Sequence, residues 1–582
     1  MAIKDENLSA RAEKIEKLLI PVKKVTFLKG FSRPTGLLEP RTYRDKTIKN
    51  SEGYKIKILP EGIKIFAATG AGAYYAAGTL KDLAAIYGKR LPACTIEDEP
   101  DFKRRGVYLD CSRGKVPKLN TLKELVVRLA HWKINELQLY IENVFTFKKH
   151  PDIGKGYGPF TPAEILALGD FCKLHHVKLV GSLASFGHLE KILALPRYHR
   201  LSEIPGFRGF GGGTTLCPTD PESIKLISEL YSEFVPLFEA KDFNVCCDET
   251  WELGKGRSKK LAARIGTGRV YLGFLLKIYR LCRKYGKRMN VWADIVLKYP
   301  ELLKDLPKDI VLLNWEYEQN GKNIHRTKEI AKAGMPFMVC PGTSGWLTHG
   351  SRLPNSMANV KNFAAQGRKY HAEGLLNTDW GDSGHRNFLG ISLHSFAHGA
   401  AHSWNGKAVN DKKFTENFCY HVFGQKNNRL AKILKTLGSN YITSGATIPN
   451  KCWLYFALVE PILNKNRQTE IPIDSMNEKG LRKIVEQFSD ESIWPKLPKQ
   501  TEKSEKIVLE ELKLAARMDC LAAKKLLAIK KNKNSELRQI CREMHKIAEN
   551  FKKLWLSRNK ISRLKDNLRL FQQASKGLKQ CE

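Results

Sequence analysis

Two adjacent carboxylates, Asp248 and Glu249, stand in the segment NVCCDETW, directly after an apolar run. Side chains alternate along a strand, so within one the two would face opposite sides. Both reach a single pocket only where the strand unravels into its loop. There they repel, and in a low-dielectric pocket the pKa of one should rise. A carboxylic acid kept protonated near neutral pH serves as a general acid. The same pair could instead cap a helix and bind Lys255 or Arg257, which follow closely. Other reactive residues recur at similar places, at or just past the ends of apolar runs: Asp110, Glu142, Asn143, Ser185, His188, Trp292, Asp294, Trp315, Tyr317, Thr343, Asp379, Trp380 and Asp382. Carboxylates interleaved with Trp and Tyr describe a pocket for a ligand with polar edges and apolar faces, as sugars have. Any single Asp of the set also suits a helix cap.

These residues need a scaffold that brings many strand ends together. Eight apolar runs read as strands: GVYLD (106–110), ELQLYI (136–141), VKLVGSL (177–183), FNVCCDE (243–249), RMNVWAD (288–294), IVLLNWEY (310–317), PFMVCPG (336–342) and GLLNTDW (374–380). Helical patterns lie between them, such as 121–132 and 223–240. Near-continuous apolar strands suit a parallel sheet covered on both faces. Eight of them alternating with helices predict an α/β fold, a (β/α)8 TIM barrel. An open doubly wound sheet is the alternative, but no glycine-rich phosphate loop follows the first strand. The barrel is expected over residues 101–410, where its active site would lie at the C-terminal strand ends. Residues 1–100 read as a small α/β domain, with strands at VKKVTFL, YKIKILP and GIKIFAA and a helix over 70–88. Residues 411–582 read as a basic helical region, and apolar spacing predicts that one face of its last part, 500–582, packs on the barrel or on another helix.

The chain has 582 residues, and 98 Lys+Arg against 60 Asp+Glu leave a net charge of +38. Such an excess suits an anionic partner or a solvated basic surface. It is spread over nearly every predicted helix, without an RNA-binding signature or zinc-finger spacing, so nucleic acid is not the expected partner. Thirteen cysteines with no CxxC, several inside apolar runs, suggest buried reduced thiols. The N-terminal sequence has the look of a polar helix and no apolar signal core. No run reaches the roughly 18 apolar residues of a membrane span. Together these predict a cytoplasmic protein with no membrane partner. His394, His398 and His402 recur every four residues and would share a helix face. That spacing can hold zinc, but the HExxH pattern is absent and packing against the barrel wall accounts for it, so no metal and no cofactor are expected.

In this order the motifs resemble glycoside hydrolase family 20, the β-N-acetylhexosaminidases, over residues 20–400. The family carries an Asp-Glu pair after its fourth barrel strand, where Asp248-Glu249 fall. Arg105, ahead of GVYLD, resembles the family's RG-x-x-LD start, and SFGHLE (185–190) resembles a Gly-His segment, especially that of the hexosaminidase D-like branch. Residues 55–100 are similar to the small domain that often precedes the barrel. The resemblance implies a retaining, exo-acting hydrolase that removes terminal β-linked GlcNAc or GalNAc by substrate-assisted catalysis. It implies Glu249 as acid and base, Asp248 as the residue orienting the acetamido group, and Tyr317 as a donor to its carbonyl. Trp292, Trp315 and Trp380 would wall the sugar, Arg105 and Asp382 would take its hydroxyls, and His188 would polarise a carboxylate near the site, with a structural histidine as the alternative; His188 and, from its strand-end position, Asp294 join the expected substrate-binding residues. The sequence departs from the family pattern at three places. Asn244-Val245-Cys246-Cys247 stands for His-x-Gly-Gly, Trp380-Gly381-Asp382 for Trp-Gly-Glu, and the segment after the second strand lacks the usual Trp. Competing readings are acetamido-assisted cleavage of another substrate, a catalytically altered glycan-binding barrel with a basic tail for an acidic polymer, and nucleic-acid binding by residues 500–582 alone. The oligomeric state is not set by these features.

Overall fold

The computed structural model describes residues 8–32, 40–460, 471–531 and 533–579. Its first sheet contains β1 (Lys24–Phe31), β2 (Arg41–Arg44), β3 (Tyr54–Leu59), β4 (Gly62–Ala67) and β5 (Pro92–Asp98), in the order β1-β5-β3-β4-β2. Strict alternation of buried and partly buried residues in β3 and β4 gives this sheet one apolar face. The helix Gly70–Tyr87 packs against β3 and β4, capped by the Thr69 side chain and ended at Gly88, whose φ is 77°. β2 and β5 have no counterpart in the sequence reading, yet β5 is the strand that joins β1 to β3.

A closed parallel barrel follows, as predicted. Its strands are β6 (Arg104–Asp110), β7 (Glu136–Tyr140), β8 (Lys178–Ser182), β9 (Asp242–Asn244), β10 (Arg288–Trp292), β11 (Val311–Trp315), β12 (Phe337–Cys340) and β13 (Gly374–Asp379). β13 closes on β6 with Leu375 opposite Arg105 and Asp379 opposite Leu109. Gly106 keeps this seam close, since a Cβ there would lie 2.6 Å from Leu376 Cδ1 and that side chain would have to shift. All eight runs read from sequence are strands. FNVCCDE is the one much shortened, its strand ending at Asn244.

The C-terminal region is helical, as expected. The helix Lys503–Lys530 packs on Leu389–Asn405, and Asn534–Arg558 and Leu564–Lys579 stack outward from it. The turn joining the last two helices reaches the C-terminal rim of the barrel. Lys560 N–H donates to Val116 O, Arg563 N–H to Gly114 O, and Asn567 Nδ2 to Gly384 O at 2.7 Å. These contacts brace the loops after β6 and β13. Among the described residues, no helix is long and apolar enough to cross a membrane.

Candidate active site

β9 stops at Asn244, and the chain then turns through three left-handed residues: Cys246 (φ 59°), Cys247 (φ 64°) and Glu249 (φ 49°). Each such non-glycine residue costs about 1–2 kcal/mol. The Asn244 side chain accepts the Cys246 N–H at 2.9 Å, and the Tyr271 hydroxyl donates to Cys247 O at 3.0 Å. Strand alternation is thereby lost, and both carboxylates turn toward the same imidazole. His188 Nε2 lies 3.3 Å from Asp248 Oδ2 and 3.3 Å from Glu249 Oε2. Cys246 and Cys247 occupy the positions where the family pattern has glycine, and their positive φ gives the physical reason for glycine there.

His188 follows β8 and is itself left-handed, with φ 59°. The preceding Gly187 must be glycine, because a Cβ would come within 2.3 Å of Asp248 O. Burial opposes a charge on His188, but the Asp248 carboxylate beside it, followed by Glu249, holds the imidazole pKa well above its ordinary range. Behind the pair, the Asp294 carboxyl after β10 has a raised pKa, as does Asp382 on the opposite side of the rim. Burial and the neighbouring Asp248 charge push Asp294 up to about 8. Asp294 Oδ2 accepts the Glu249 N–H at 3.0 Å, so it sits behind the pair.

Arg113, three residues past the end of β6, is the arginine of this rim. Its guanidinium lies 3.1 Å from Asp110 Oδ2, 3.1 Å from Glu142 Oε1 and 3.9 Å from Asp382 Oδ1. It is held between the rings of Tyr140 (4.7 Å) and Trp380 (4.9 Å). Lys191 Nζ donates to Glu142 Oε2 at 2.6 Å. Burial alone would raise the Glu142 pKa, but Lys191 and Arg113 bring it down to about 2.

Arg105 is a correction. It stands near the N-terminal end of β6, five residues before Asp110, or about 16 Å along the strand. It is fully buried there, pairing with Glu52 at 2.7 Å and donating to Lys133 O and Phe102 O. It ties the barrel to the first sheet and reaches no rim residue. Strand direction alone could have assigned the role to Arg113, the first basic residue past the β6 end.

The aromatic wall is assembled as follows. Trp292 meets Tyr108 edge-on at 5.1 Å and Trp380 at 6.0 Å. Trp315 stacks on Tyr317 at 5.0 Å, and Trp346, absent from the sequence reading, meets Tyr317 edge-on at 5.0 Å. Trp380 Nε1 donates to the Tyr317 hydroxyl at 2.8 Å. Asp379 lies beneath, accepting from Thr343 and Ser392 at 2.6 and 2.7 Å, which makes it part of the scaffold. Asp382 is half-exposed beside Arg113. The histidine series lies elsewhere, on the buried helix Leu389–Asn405. His398 and His402 both donate to Asp411 Oδ1, at 2.8 and 3.0 Å, and Lys361 pairs with the other oxygen at 2.8 Å. The ligand atoms of His398, His402 and Asp411 lie within 4.8 Å of one another, with the Lys361 ammonium on the other carboxylate oxygen.

A closed parallel barrel whose C-terminal rim gathers carboxylates, one imidazole and a wall of Trp and Tyr is the build of a glycoside hydrolase. Residues 102–398 match the family model described as glycosyl hydrolase family 20, catalytic domain, and residues 2–99 match its domain 2. The first match covers just over half of the chain, which therefore belongs to glycosyl hydrolase family 20. Hexosaminidase D of Homo sapiens is 24% identical over 214 residues, 36% of this chain and 41% of that protein. A beta-hexosaminidase of Vibrio furnissii is 24% identical over 332 residues, 50% of this chain and 52% of that protein. The chain thus spans about half the length, or less, of these relatives. A beta-N-acetylhexosaminidase structure from Bacteroides fragilis has a TM-score of 0.57 at 17% identity, covering 69% of this chain and 93% of that one. The chitobiase of Flavobacterium johnsoniae has the same TM-score at 16% identity, covering 93% and 99%. These likenesses show the shared fold.

Proposed function

We propose that this protein is a retaining, exo-acting β-N-acetylhexosaminidase that removes terminal β-linked N-acetylhexosamine with the substrate's own acetamido group as nucleophile. The observation that carries the reading is the division of labour within the pair. Asp248 Oδ1 is buried and finds no hydrogen-bond partner among the described residues, while the Glu249 side chain is about one-third exposed. A buried acceptor suits the acetamido N–H, and an exposed carboxyl suits the glycosidic oxygen. The acetamido oxygen attacks C1 as Glu249 protonates the leaving oxygen. Glu249 then takes a proton from water, which opens the cyclic intermediate with net retention. The Tyr317 hydroxyl accepts from Trp380 and keeps its own proton to donate to the acetamido carbonyl. Trp292, Trp315 and Trp380 pack on the sugar's apolar faces, and Arg113 with Asp382 binds its outer hydroxyls. Burial keeps Asp294 neutral near pH 7, so no third negative charge lies beneath the acid.

The relatives named beta-hexosaminidase support this reading, as does the free, buried state of all twelve described cysteines for a reducing, cytoplasmic setting; Cys581 lies outside the described residues. The test is turnover of aryl β-GlcNAc and β-GalNAc glycosides. Wild-type protein that cleaves neither overturns the reading. Inhibition by a thiazoline mimic of the cyclised intermediate is the expected sign of acetamido participation.

A further inference from the structure

We propose that Arg208, held on the ring of Trp251, forms a leaving-group subsite that selects an anionic sugar next to the N-acetylhexosamine. This rests on the hydrolase reading above and adds the chemistry of the group released.

Position comes first. The acid must touch the bond between the enclosed sugar and its leaving group, so the leaving group extends outward from Glu249. Trp251 N–H donates to Glu249 O at 2.7 Å, a tight turn that sets the indole beside the acid. Its ring also meets His188 edge-on at 5.9 Å, and His188 touches both carboxylates. The Arg208 guanidinium lies 4.8 Å over Trp251 and 5.4 Å over Phe207. A cation on an aromatic face keeps its orientation while its N–H edges stay free.

The arrangement is built. Arg208 is left-handed, φ 51° and ψ 30°, between Gly206 and Gly209, both also at positive φ. A non-glycine residue there is strained, and the loop around it is pinned. The Glu252 carboxylate, next to Trp251, accepts from Thr214 N–H at 2.5 Å, Thr214 Oγ1 at 2.8 Å and Thr215 N–H at 3.3 Å. Glu203 binds the same two segments together through Ser258 N–H and Oγ at 2.9 and 2.6 Å.

Charge is the third point. Arg113 and Arg257 are paired with carboxylates, Arg257 with Asp220 at 2.8 Å. No described carboxylate pairs with Arg208, which is exposed at the site mouth. An exposed guanidinium with its face covered and its edge open binds a planar carboxylate or a sulfate through two parallel hydrogen bonds.

The test compares two β-GlcNAc disaccharides, one on glucuronic acid and one on glucose, with an aryl β-GlcNAc glycoside as reference. Wild-type kcat/KM is expected to favour the acidic disaccharide about tenfold at low salt, an advantage that shrinks as salt rises. Arg208→Gln brings the ratio close to one, and Arg208→Lys retains part of it. A disaccharide on 6-sulfated glucose separates sulfate from carboxylate recognition, and preference for either anion supports the subsite. Aryl turnover with a wild-type ratio near one, or a ratio that survives Arg208→Gln, overturns this inference alone. Failure to cleave any of the substrates overturns the hydrolase reading and the subsite with it.

Discussion

At the N-terminal end of the barrel, Arg104 reaches Glu136 through two nitrogens at 2.8 Å each, and Asp242 and Asn290 at 3.0 and 3.1 Å. Arg288 there binds Glu373 twice, at 2.6 and 2.9 Å. At the C-terminal end the same residue types are left incomplete. Asp248 Oδ1, Asp294 Oδ1, Trp292 Nε1 and Trp315 Nε1 are buried without a hydrogen-bond partner among the described residues. The N-terminal end also borders a cavity of about 1020 Å³, lined by Arg104, Glu136, Asp242, Arg288 and Glu373. A large cavity by itself therefore does not mark the candidate site; the orphaned carboxylate and indole atoms of the C-terminal rim do. Buried polar groups are nearly always satisfied, so four orphaned atoms at one rim call for an explanation, and a ligand that completes them is one. One end of the barrel pairs its charges for stability, and the other, on the reading proposed above, holds them for chemistry.

Breaking each end separately should give opposite readouts. The largest effect is expected for Glu249→Gln, which removes the proposed acid and should lower kcat/KM on an aryl β-GlcNAc glycoside about 10³-fold, with little change in melting temperature. Turnover unaffected by this change would refute the assignment of the acid. Arg104→Met leaves Glu136 buried and unpaired. It should cost about 3 kcal/mol in chemical denaturation, while the folded fraction keeps its kcat. Asp294→Asn sharpens the contrast by pH. The folded pKa of Asp294, about 8, exceeds its ordinary 3.8, so its contribution to stability is full below about pH 4 and is lost as pH rises through about 8. The Asn variant lacks that loss, and its stability relative to wild type should rise between pH 4 and 8 by up to about 1.4 kcal/mol per pH unit. The smallest effect concerns backbone strain at the catalytic end. Cys247→Gly and Cys247→Ala both lose the buried sulfur, but only glycine relaxes at φ 64°. The Gly variant should be the more stable by about 1 kcal/mol in matched denaturation curves.

Much of the scaffold was legible because barrel strands are apolar on both faces and bounded by helices, a pattern that survives in one dimension. The exceptions have physical causes. β5 is hard to read from sequence because PACTIED opens on a proline and buries the charged Asp98 on its inner face, although Cys94 and Ile96 alternate with Thr95 and Glu97. FNVCCDE looked like one strand because its residues favour extended structure, and nothing local announces the left-handed turn at Cys246 and Cys247. Arg105 was misassigned to the rim by motif likeness, although its place at the start of an N-to-C strand puts it at the other end. Arg113 and Trp346 were missed because they lie in loops, where apolar periodicity carries no signal.

By itself the sequence determined the eight-stranded parallel barrel and the location of Asp248 and Glu249 at a strand end, because burial on both faces dictates composition residue by residue. Only the tertiary structure decided which groups meet. His188, about 60 residues earlier, comes within 3.3 Å of both carboxylates because barrel closure sets β8 beside β9, and because Gly187 allows the backbones to touch. The shared orientation of the pair likewise comes from backbone strain at Cys246, Cys247 and Glu249, which local preference opposes and the surrounding packing enforces.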